Sequence, residues 1–283
     1  LNFGDFLDKI IEYMLEEDKG FGDVTSESVV DKDLDVNAYI ISKDEGILAG
    51  MNLVKELFEE YGVEVVSYVE DGAAISKKDL LMSLRGNART ILLLERTALN
   101  LSMRMSGVAS AANHYSSLVK DYGVKIAGTR KTSPALAKFD KYALKVGGVD
   151  THRFSLDDMV LIKDNHIAVC DSPLDALLKA KANVSFSKKI EIEVETLSDA
   201  IECVENKADI VMLDNMSGEE VKEVISELEN LGIRENSLIE VSGGITEENI
   251  LDYVEYGVDI ISIGALTHSS RSLNFSLKME LDS

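Results

Sequence analysis

The sequence predicts an α/β protein in which a small α+β domain precedes a parallel α/β barrel with fewer than eight strands. The main observation is a unit repeated through the second half of the chain: a short apolar run, rich in Ile and Val, that ends in polar residues and is followed by a helix-like stretch. Such runs are typical of fully buried strands, and their alternation with helices indicates parallel βα units. The runs span residues 124–131, 159–165, 190–195, 209–215, 238–244 and 260–265.

The first hundred residues lack this unit. Apolar residues at helical spacing predict a helix over 5–15, and alternation predicts a half-buried strand over 36–40. A helix capped by Asn52 is expected over 52–61, with further strands over 63–69 and 80–84. Strict alternation over 272–279 predicts a strand with one wet face, which we assign to the sheet of the first domain. The predicted domains are therefore 1–106 with 270–283, and 107–269.

The bulk properties exclude several classes of protein. The 283 residues are 45% hydrophobic, which is ample for a packed core, and the net charge of −22 argues against binding nucleic acid or an anionic membrane. No signal peptide and no apolar run of bilayer-spanning length is evident. Cys170 and Cys203 have no metal-ligand spacing and are typical of reduced thiols. We expect a cytoplasmic protein.

The helices of the second half have recognisable ends. Val221, Val224, Ile225 and Leu228 form a helical stripe that Gly232 closes. Ser198 and Thr246 are placed as N-caps of two other helices. The segment 88–105 is apolar nearly all round yet contains Glu95, Arg96, Asn100 and Arg104. Because buried charge is costly unless it is paired, we expect a partner or a ligand beside this helix.

Cations follow two successive strands of the barrel. Residues 128–166 contain seven Lys or Arg against five acids, in a chain that is otherwise strongly acidic. Chemistry in parallel barrels lies at the C-terminal ends of the strands. Arginine binds carboxylate or phosphate with two hydrogen bonds, and lysine acts as a point charge. We infer a pocket for a small molecule with several negative charges, formed by Thr129, Arg130, Lys131, His152, Arg153 and Lys163.

Carboxylates and glycines follow the later strands. Glu193 and Asp214 could hold Mg²⁺ together with phosphate oxygens, bind sugar hydroxyls, or only pair with Arg130 or Lys163. The tips Ser242, Gly243, Gly244 and Ile263, Gly264, Ala265 let the backbone approach a phosphate closely, and the first opens a helix capped by Thr246. His268 could contact the same ligand, although a lone histidine is more often structural.

With these residues in view, the chain resembles the quinolinate phosphoribosyltransferases, also called carboxylating nicotinate-nucleotide pyrophosphorylases. The matching segments lie in order along nearly the whole chain and as a set are highly specific. They are EDKGFGDVTS (17–26), ERTALNLSMRMSGVAS (95–110), GTRKTSPALAKFDKYALKVGG (128–148), HRFSLDDMVLIKDNHI (152–167), EIEVET (191–196), ADIVMLDNMS (208–217), IEVSGGITEENI (239–250) and ISIGALTHS (261–269).

The resemblance implies an N-terminal α/β sandwich, an open α/β barrel, and a homodimer in which Arg96 reaches the site of the partner subunit. It implies that Arg130, Lys131, His152, Arg153 and Lys163 surround quinolinate and the pyrophosphate of phosphoribosyl pyrophosphate (PRPP). Glu193 and Asp214 would meet the ribose hydroxyls and Mg²⁺. The two glycine tips would hold the 5-phosphate. The activity implied is phosphoribosyl transfer to quinolinate with decarboxylation, a step of NAD biosynthesis.

Two other functions stay open at this point. Lys163 at a strand tip could form a Schiff base in a lyase, although the neighbouring cations suit a more anionic ligand than a simple sugar phosphate. The pocket could also belong to a non-catalytic relative that binds another anion, although the intact set of charged tips argues against this.

Overall fold

The computed structural model describes the backbone of residues 4–281 and the side chains from residue 9 onward. Twelve strands and eleven α-helices are described, with a 3₁₀ turn at Arg234–Asn236. In chain order they are α1 (Gly4–Lys19), α2 (Val24–Val29), β1 (Asp35–Ser42), β2 (Gly46–Ile47), α3 (Met51–Glu60), β3 (Glu64–Tyr68), β4 (Ala74–Ile75), β5 (Leu80–Asn87), α4 (Ala88–Val119), β6 (Lys125–Ala127), α5 (Ala137–Val146), β7 (Val160–Ile162), α6 (Asp164–Ile167), α7 (Pro173–Asn183), β8 (Ile190–Val194), α8 (Leu197–Glu205), β9 (Ile210–Asp214), α9 (Gly218–Asn230), β10 (Leu238–Ser242), α10 (Ile250–Val254), β11 (Ile260–Ser262), α11 (Ala265–His268) and β12 (Phe275–Leu281).

The chain divides into two compact units. The first contains residues 1–113, 133–148 and 269–283, and the second contains residues 114–132 and 149–268. This division places α5 with the first unit, whereas the sequence assigned it to the barrel. The domains expected from the sequence, 1–106 with 270–283 and 107–269, stay a prediction.

The first unit is built on an antiparallel sheet of order β12-β1-β5-β3. Val36, Ala38 and Ile40 of β1 are buried, and the residues between them are not, which is the alternation the sequence shows. Strand β12 pairs with β1, with Met279 opposite Ala38. The prediction that the end of the chain returns to the first sheet is therefore confirmed.

One of the charged residues of helix α4, Arg104, has a partner of opposite charge within the first unit. The guanidinium of Arg104 donates two hydrogen bonds, at 2.9 and 2.8 Å, to the carboxylate of Asp140 on α5. Asp140 is fully buried, and burial raises the pKa of its carboxyl, although Arg104 counteracts the rise. The partner expected for a charge on this helix is thus present for Arg104.

The second unit is an open parallel barrel with the strand order β6-β11-β10-β9-β8-β7. All six strands predicted from the repeated unit are present, so the α/β class with an incomplete barrel is confirmed. Asp150 forms a parallel bridge with Ala127 and so extends the sheet beyond β6. Its amide donates to the carbonyl of Ile126, and its carbonyl accepts from Gly128, both at 2.9 Å. Among the described residues, no strand pairing joins this segment to β7.

The strand registers determine which side chains point into the barrel. On β8, Ile190, Ile192 and Val194 alternate with Glu191 and Glu193, and all five are buried. The register places Glu193 level with Met212, and Met212 level with Glu240. Because alternate residues of a strand share a face, one face of β8 is apolar and the other is acidic.

Three predicted helix caps are wrong. Gly50, not Asn52, precedes α3, and the first amide of that helix donates to the distant Asp71 carboxylate at 2.7 Å. Thr196, not Ser198, caps α8. Thr246 does not cap a helix, because residues 246–249 form a turn and α10 begins only at Ile250. A tertiary contact at α3 and the Thr196 hydroxyl at α8 satisfy a free amide, whereas the first amide of α10 donates to the Thr246 carbonyl at 3.1 Å.

Candidate active site

A lysine and two carboxylates meet at the C-terminal ends of β8 and β9. The Lys163 ammonium forms an ion pair with the Glu193 carboxylate, and Glu193 is only 8% exposed. Asp214 is the last residue of β9. Burial and then the charge of Glu193 raise the pKa of Asp214, while Lys163 and Lys131 counteract the rise. Together with Lys131, these three side chains therefore form one electrostatically coupled cluster at this edge of the barrel.

The tip of β7 is oriented by its own short helix. The amide of Lys163 donates to Nδ1 of His166 at 2.9 Å, at the start of α6. The cavity beside this tip, of about 310 Å³, has an acidic lining that includes Asp164, Glu193 and Glu195. His166 thus helps to fix the backbone from which Lys163 reaches Glu193.

Lys131 lies against the glycine tip that follows β11. A Cβ placed on Gly264 would come within 3.2 Å of Nε2 of His268 and 3.3 Å of Cδ of Lys131. The Thr267 hydroxyl donates to the Lys131 carbonyl at 2.8 Å. Gly264 therefore packs closely against His268 and Lys131, which both flank this tip. The amide of Ile263 already donates to Ala127 at 2.9 Å, so it is not free for a phosphate.

The glycine pair after β10 is a left-handed turn. Gly243 and Gly244 have φ values of +94° and +62°. A Cβ on Gly243 would overlap the side chain of Asn215, and the main-chain N–H of Asn215 donates to the Ser242 carbonyl at 2.9 Å. A Cβ on Gly244 would meet nothing within 4 Å. Gly243 thus joins the β9 and β10 tips, and Gly244 faces open space that a ligand could fill. Since α10 begins later, this site has no helix N-terminus.

The remaining predicted cations form a second group. Burial and the charge of Arg130 lower the pKa of Arg153, so these two guanidinium groups lie near each other. Arg153 also donates to the Met159 carbonyl at 3.4 Å. Thr129 has a local role, because its hydroxyl accepts from the Lys131 amide at 3.1 Å. Arg130 of this group directly precedes Lys131, which acts on Asp214, so the two groups of charges adjoin along the chain.

His152 and Arg153 also line a cavity of about 550 Å³. Ile210, Leu238 and Ile260 line the same cavity and are the first residues of their strands. The cavity therefore reaches the N-terminal end of the barrel, opposite the glycine tips. The sequence placed these two residues only with the C-terminal strand tips and did not indicate this second cavity.

Two buried acids beneath the site were missed by the sequence reasoning. Oε2 atoms of Glu191 and Glu240 lie 3.2 and 3.3 Å from Nε2 of His152, and both glutamates are fully buried. Burial works against a charged ring, but the two carboxylates raise the pKa of His152 to about 10. The signal in the sequence was a glutamate inside an otherwise apolar strand. Within the strands, functional roles were assigned from the sequence only to residues at the tips, so these two acids were not included.

Arg96 lies on α4 in the first unit. Its side chain is 52% exposed and pairs with the adjacent Glu95. It lines a cavity of about 320 Å³ together with Asn100 and Arg104. Its predicted contribution to a partner's site stays a prediction.

The geometry defines a class of protein: an α/β barrel that presents lysines, carboxylates and glycine turns to an anionic small molecule at its C-terminal edge. Comparison with known proteins makes the class specific. Residues 23–106 and 108–278 match the models of the N-terminal and C-terminal domains of quinolinate phosphoribosyl transferase. The chain belongs to the quinolinate phosphoribosyltransferase family, and the resemblance seen in the sequence is confirmed.

Relatives match over nearly their full lengths. A probable carboxylating nicotinate-nucleotide pyrophosphorylase of Methanocaldococcus jannaschii is 46% identical over 277 residues, which are 96% of this chain and 97% of that protein. One from Bacillus subtilis is 38% identical, over 97% of this chain and 94% of that protein. The crystal structure of NadC from Streptococcus pyogenes has a TM-score of 0.90 and 35% identity, over 98% of each chain. Within the described residues, no helix is long and apolar enough to cross a membrane.

Proposed function

We propose that this chain transfers the phosphoribosyl group of PRPP to quinolinate with loss of CO₂, forming nicotinate mononucleotide and pyrophosphate in NAD biosynthesis. The observation that carries the proposal is the cluster of Lys131, Lys163, Glu193 and Asp214 at the edge of the barrel that also has the open Gly244 turn, in a member of the quinolinate phosphoribosyltransferase family. Both substrates carry several negative charges, which Lys131 and Lys163, together with Arg130 and Arg153, can compensate.

Arg130 and Arg153 would bind the two carboxylates of quinolinate, with His152 beside them. Arginine matches a carboxylate with two parallel hydrogen bonds, and the proximity of Arg130 and Arg153 creates a repulsion that a dianion relieves. The like-charge pair is thus arranged for an anionic ligand rather than for stability of the free protein.

Lys131 and Lys163 would contact the pyrophosphate of PRPP, and Glu193 and Asp214 would contact its ribose. The 5-phosphate would lie at the open Gly244 turn and the Gly264 tip, with Ser242, Gly243, Ala265 and His268 around it. Ile263 contributes packing rather than an amide, since its N–H is already used.

The residues present fit Mg²⁺ at Asp214 and Glu193. Burial and then the charge of Glu193 raise the pKa of Asp214, and a divalent cation would relieve the repulsion between the two carboxylates. Mg²⁺ would neutralise charge on the departing pyrophosphate. Lys163, which already pairs with Glu193, would supply a second cation to the same oxygens.

The residues act by position and charge rather than as a general base. As pyrophosphate leaves, the C1–O bond breaks and C1 of the ribose becomes cation-like. The pyridine nitrogen then forms the new bond to C1. The resulting pyridinium accepts the electron pair left when the 2-carboxylate departs as CO₂, and a proton takes its place. Orientation and preorganised charge can lower such barriers substantially.

The proposed assembly is a homodimer with shared active sites. Arg96 lies on α4 with half of its side chain exposed, so its guanidinium is accessible to a second copy of the chain. It would add a further cation to the quinolinate side of the partner subunit's site.

The lyase alternative is disfavoured by the partner of Lys163. A Schiff-base lysine must be an unprotonated amine, usually in apolar or cationic surroundings. Lys163 instead pairs with Glu193. Borohydride reduction in the presence of carbonyl compounds should therefore leave the protein unmodified.

Incubation with quinolinate, PRPP and Mg²⁺ tests the proposed function directly. We expect nicotinate mononucleotide and CO₂ in equal amounts, and no turnover when nicotinate replaces quinolinate. The absence of PRPP-dependent product, with a folded protein, would leave the non-catalytic anion-binding alternative.

A further inference from the structure

The most unusual feature outside the strand tips is the set of buried charges inside the barrel: His152, Glu191 and Glu240. They come from the loop that follows the Asp150 bridge, from β8 and from β10. Their donor atoms lie within 4.8 Å of one another. His152 is 11% exposed and the glutamate side chains are completely buried. The proposed function gives the two glutamates no role.

The carboxylates are poorly satisfied without the histidine. The His152 ring forms a hydrogen bond through Nε2 with Oε2 of Glu240, whereas Glu191 meets the ring as a charge contact. Both oxygens of Glu191 and Oε1 of Glu240 have no hydrogen-bond partner. Burial and the charge of Glu240 raise the pKa of Glu191, while His152 and then Lys163 counteract the rise, and the charge of Glu191 in turn acts on Arg153. Buried charges of this kind are retained only where they are compensated.

A metal ion at these three residues is disfavoured by the tautomer of the ring. Nδ1 of His152 accepts a hydrogen bond from the Arg153 amide at 2.8 Å. The ring proton is therefore on Nε2, which leaves no lone pair there for a metal. A second proton on Nδ1 would break the Arg153 contact. The two carboxylates at 3.2 and 3.3 Å favour that second proton because their charges are buried, and in neither protonation state does Nε2 offer a lone pair to a metal ion.

The ring anchors a strained turn. His152 has a φ of +52°, a region that residues with a Cβ rarely adopt. Its amide donates to the Asp150 carboxylate at 2.7 Å, and its carbonyl accepts from the Thr151 hydroxyl at 3.0 Å. These local contacts shape the turn, while the two glutamates hold its side chain from the opposite wall of the barrel. The next residue in the chain is Arg153.

We propose that Glu191 and Glu240 are positioning residues that fix the His152 ring, and through it the strained turn that presents Arg153 to quinolinate. The inference rests on the proposed function for the identity of the substrate. The glutamates touch no substrate; their effect passes through the ring and the backbone.

The test compares Glu191→Gln, Glu240→Gln and the double variant with the parent protein. Glutamine keeps the volume of the side chain and removes its charge. We expect the KM for quinolinate to rise about 10- to 100-fold, with the KM for PRPP changed less than about threefold, because a misplaced binding group acts on its own substrate. Val224→Ala on α9 is the matched control, since it destabilises the same unit at a buried apolar position.

A second readout follows the imidazole of His152 by NMR across pH 5.5–8.5. The chain has only four histidines, and His152→Asn assigns the signal. In the parent, His152 should not titrate in this window. In the double variant its pKa should fall to or below the ordinary value of about 6.5, because burial then acts without the carboxylates.

The outcomes separate the two claims. Equal changes in both KM values, or the same change in Val224→Ala, would show that the glutamates only stabilise the unit and would overturn the inference. A His152 signal that titrates normally in the parent would overturn it independently of turnover. A parent protein that does not convert quinolinate and PRPP would instead refute the proposed function. If the double variant does not fold, the two single variants decide by the same criteria.

Discussion

At the scale of single residues, the site is a compromise between ligand binding and stability. Arg130 and Arg153 repel each other, and so do Glu193 and Asp214. Each repulsion is tolerated because an opposite charge is nearby or because a ligand of opposite charge is expected there. A protein selected only for stability would not place these like charges together.

Arg153→Ala tests the cationic group at this scale. Loss of a preorganised charge contact should lower kcat/KM for quinolinate by the equivalent of about 2–4 kcal/mol. Arg153→Lys should recover only part of the loss, because lysine cannot make the paired hydrogen bonds of a guanidinium. Steady-state kinetics with either substrate varied measures both effects. Unchanged kcat/KM in Arg153→Ala would exclude the role.

The raised pKa of His152 makes stability depend on pH. In the folded protein the His152 ring keeps its second proton, and so its positive charge, up to about pH 10, whereas in the unfolded chain it loses that proton near pH 6.5. The stabilisation is therefore complete below about pH 6.5 and is lost as pH rises toward 10. Denaturant unfolding at pH 7, 8 and 9 should show a declining free energy in the parent. The decline should be shallower in the Glu191→Gln/Glu240→Gln variant.

At the scale of elements, ion pairing and turn geometry hold helices and strand tips in place. The Arg104–Asp140 pair joins α4 to α5, and the Gly243 turn joins the tips of β9 and β10. Both contacts link segments that are distant in sequence. Each contact depends on one residue, Asp140 or Gly243, and can therefore be tested by one substitution.

Asp140→Ala should destabilise the first unit by about 2–3 kcal/mol. This is below the 3–5 kcal/mol of a completely buried pair, because Arg104 is 21% exposed. Urea unfolding measures the change. Asp252→Ala, on the exposed side of α10, should change stability by less than about 0.5 kcal/mol.

Gly243→Ala should damage the proposed phosphate turn more than Gly244→Ala. Both positions have positive φ, but only at Gly243 would the added carbon overlap Asn215. We expect a higher KM for PRPP and a lower Tm in Gly243→Ala. Equal effects of the two variants would contradict the packing role of Gly243.

At the scale of the whole molecule, a chain of net charge −22 has the cations proposed to bind substrate, apart from Arg96, in its barrel unit. An acidic exterior repels anionic substrates, so attraction must come from the site itself. The proposed dimer would add Arg96 to that attraction from a second copy of the chain.

Subunit mixing tests the shared site. Arg96→Ala and Lys163→Ala should each be nearly inactive alone. After unfolding and refolding together in equal amounts, half of the dimers should be mixed and contain one intact site of two. Recovered activity should then reach about a quarter of the parent value, as symmetry requires. Mixing without recovery would show that Arg96 does not act across subunits.

The six barrel strands, the returning β12 and the family could all be predicted from the sequence. Apolar runs of strand length, period-two alternation and ordered motifs are local signals, and burial follows from them directly. The cations and acids at the strand tips were predicted for the same reason, since parallel strands end at one edge.

Tertiary structure alone decided the rest. The caps at Gly50 and Thr196 depend on which polar group reaches the free amides, and the bridge at Asp150 is a single pairing with no run of its own. The clustering of His152 with Glu191 and Glu240 depends on the register of β8 against β9 and β10. A register shift of one residue would turn those acids outward. Alternation predicts which residues of a strand share a face, but the packing of the whole sheet decides which face turns inward and which residues of other strands lie opposite.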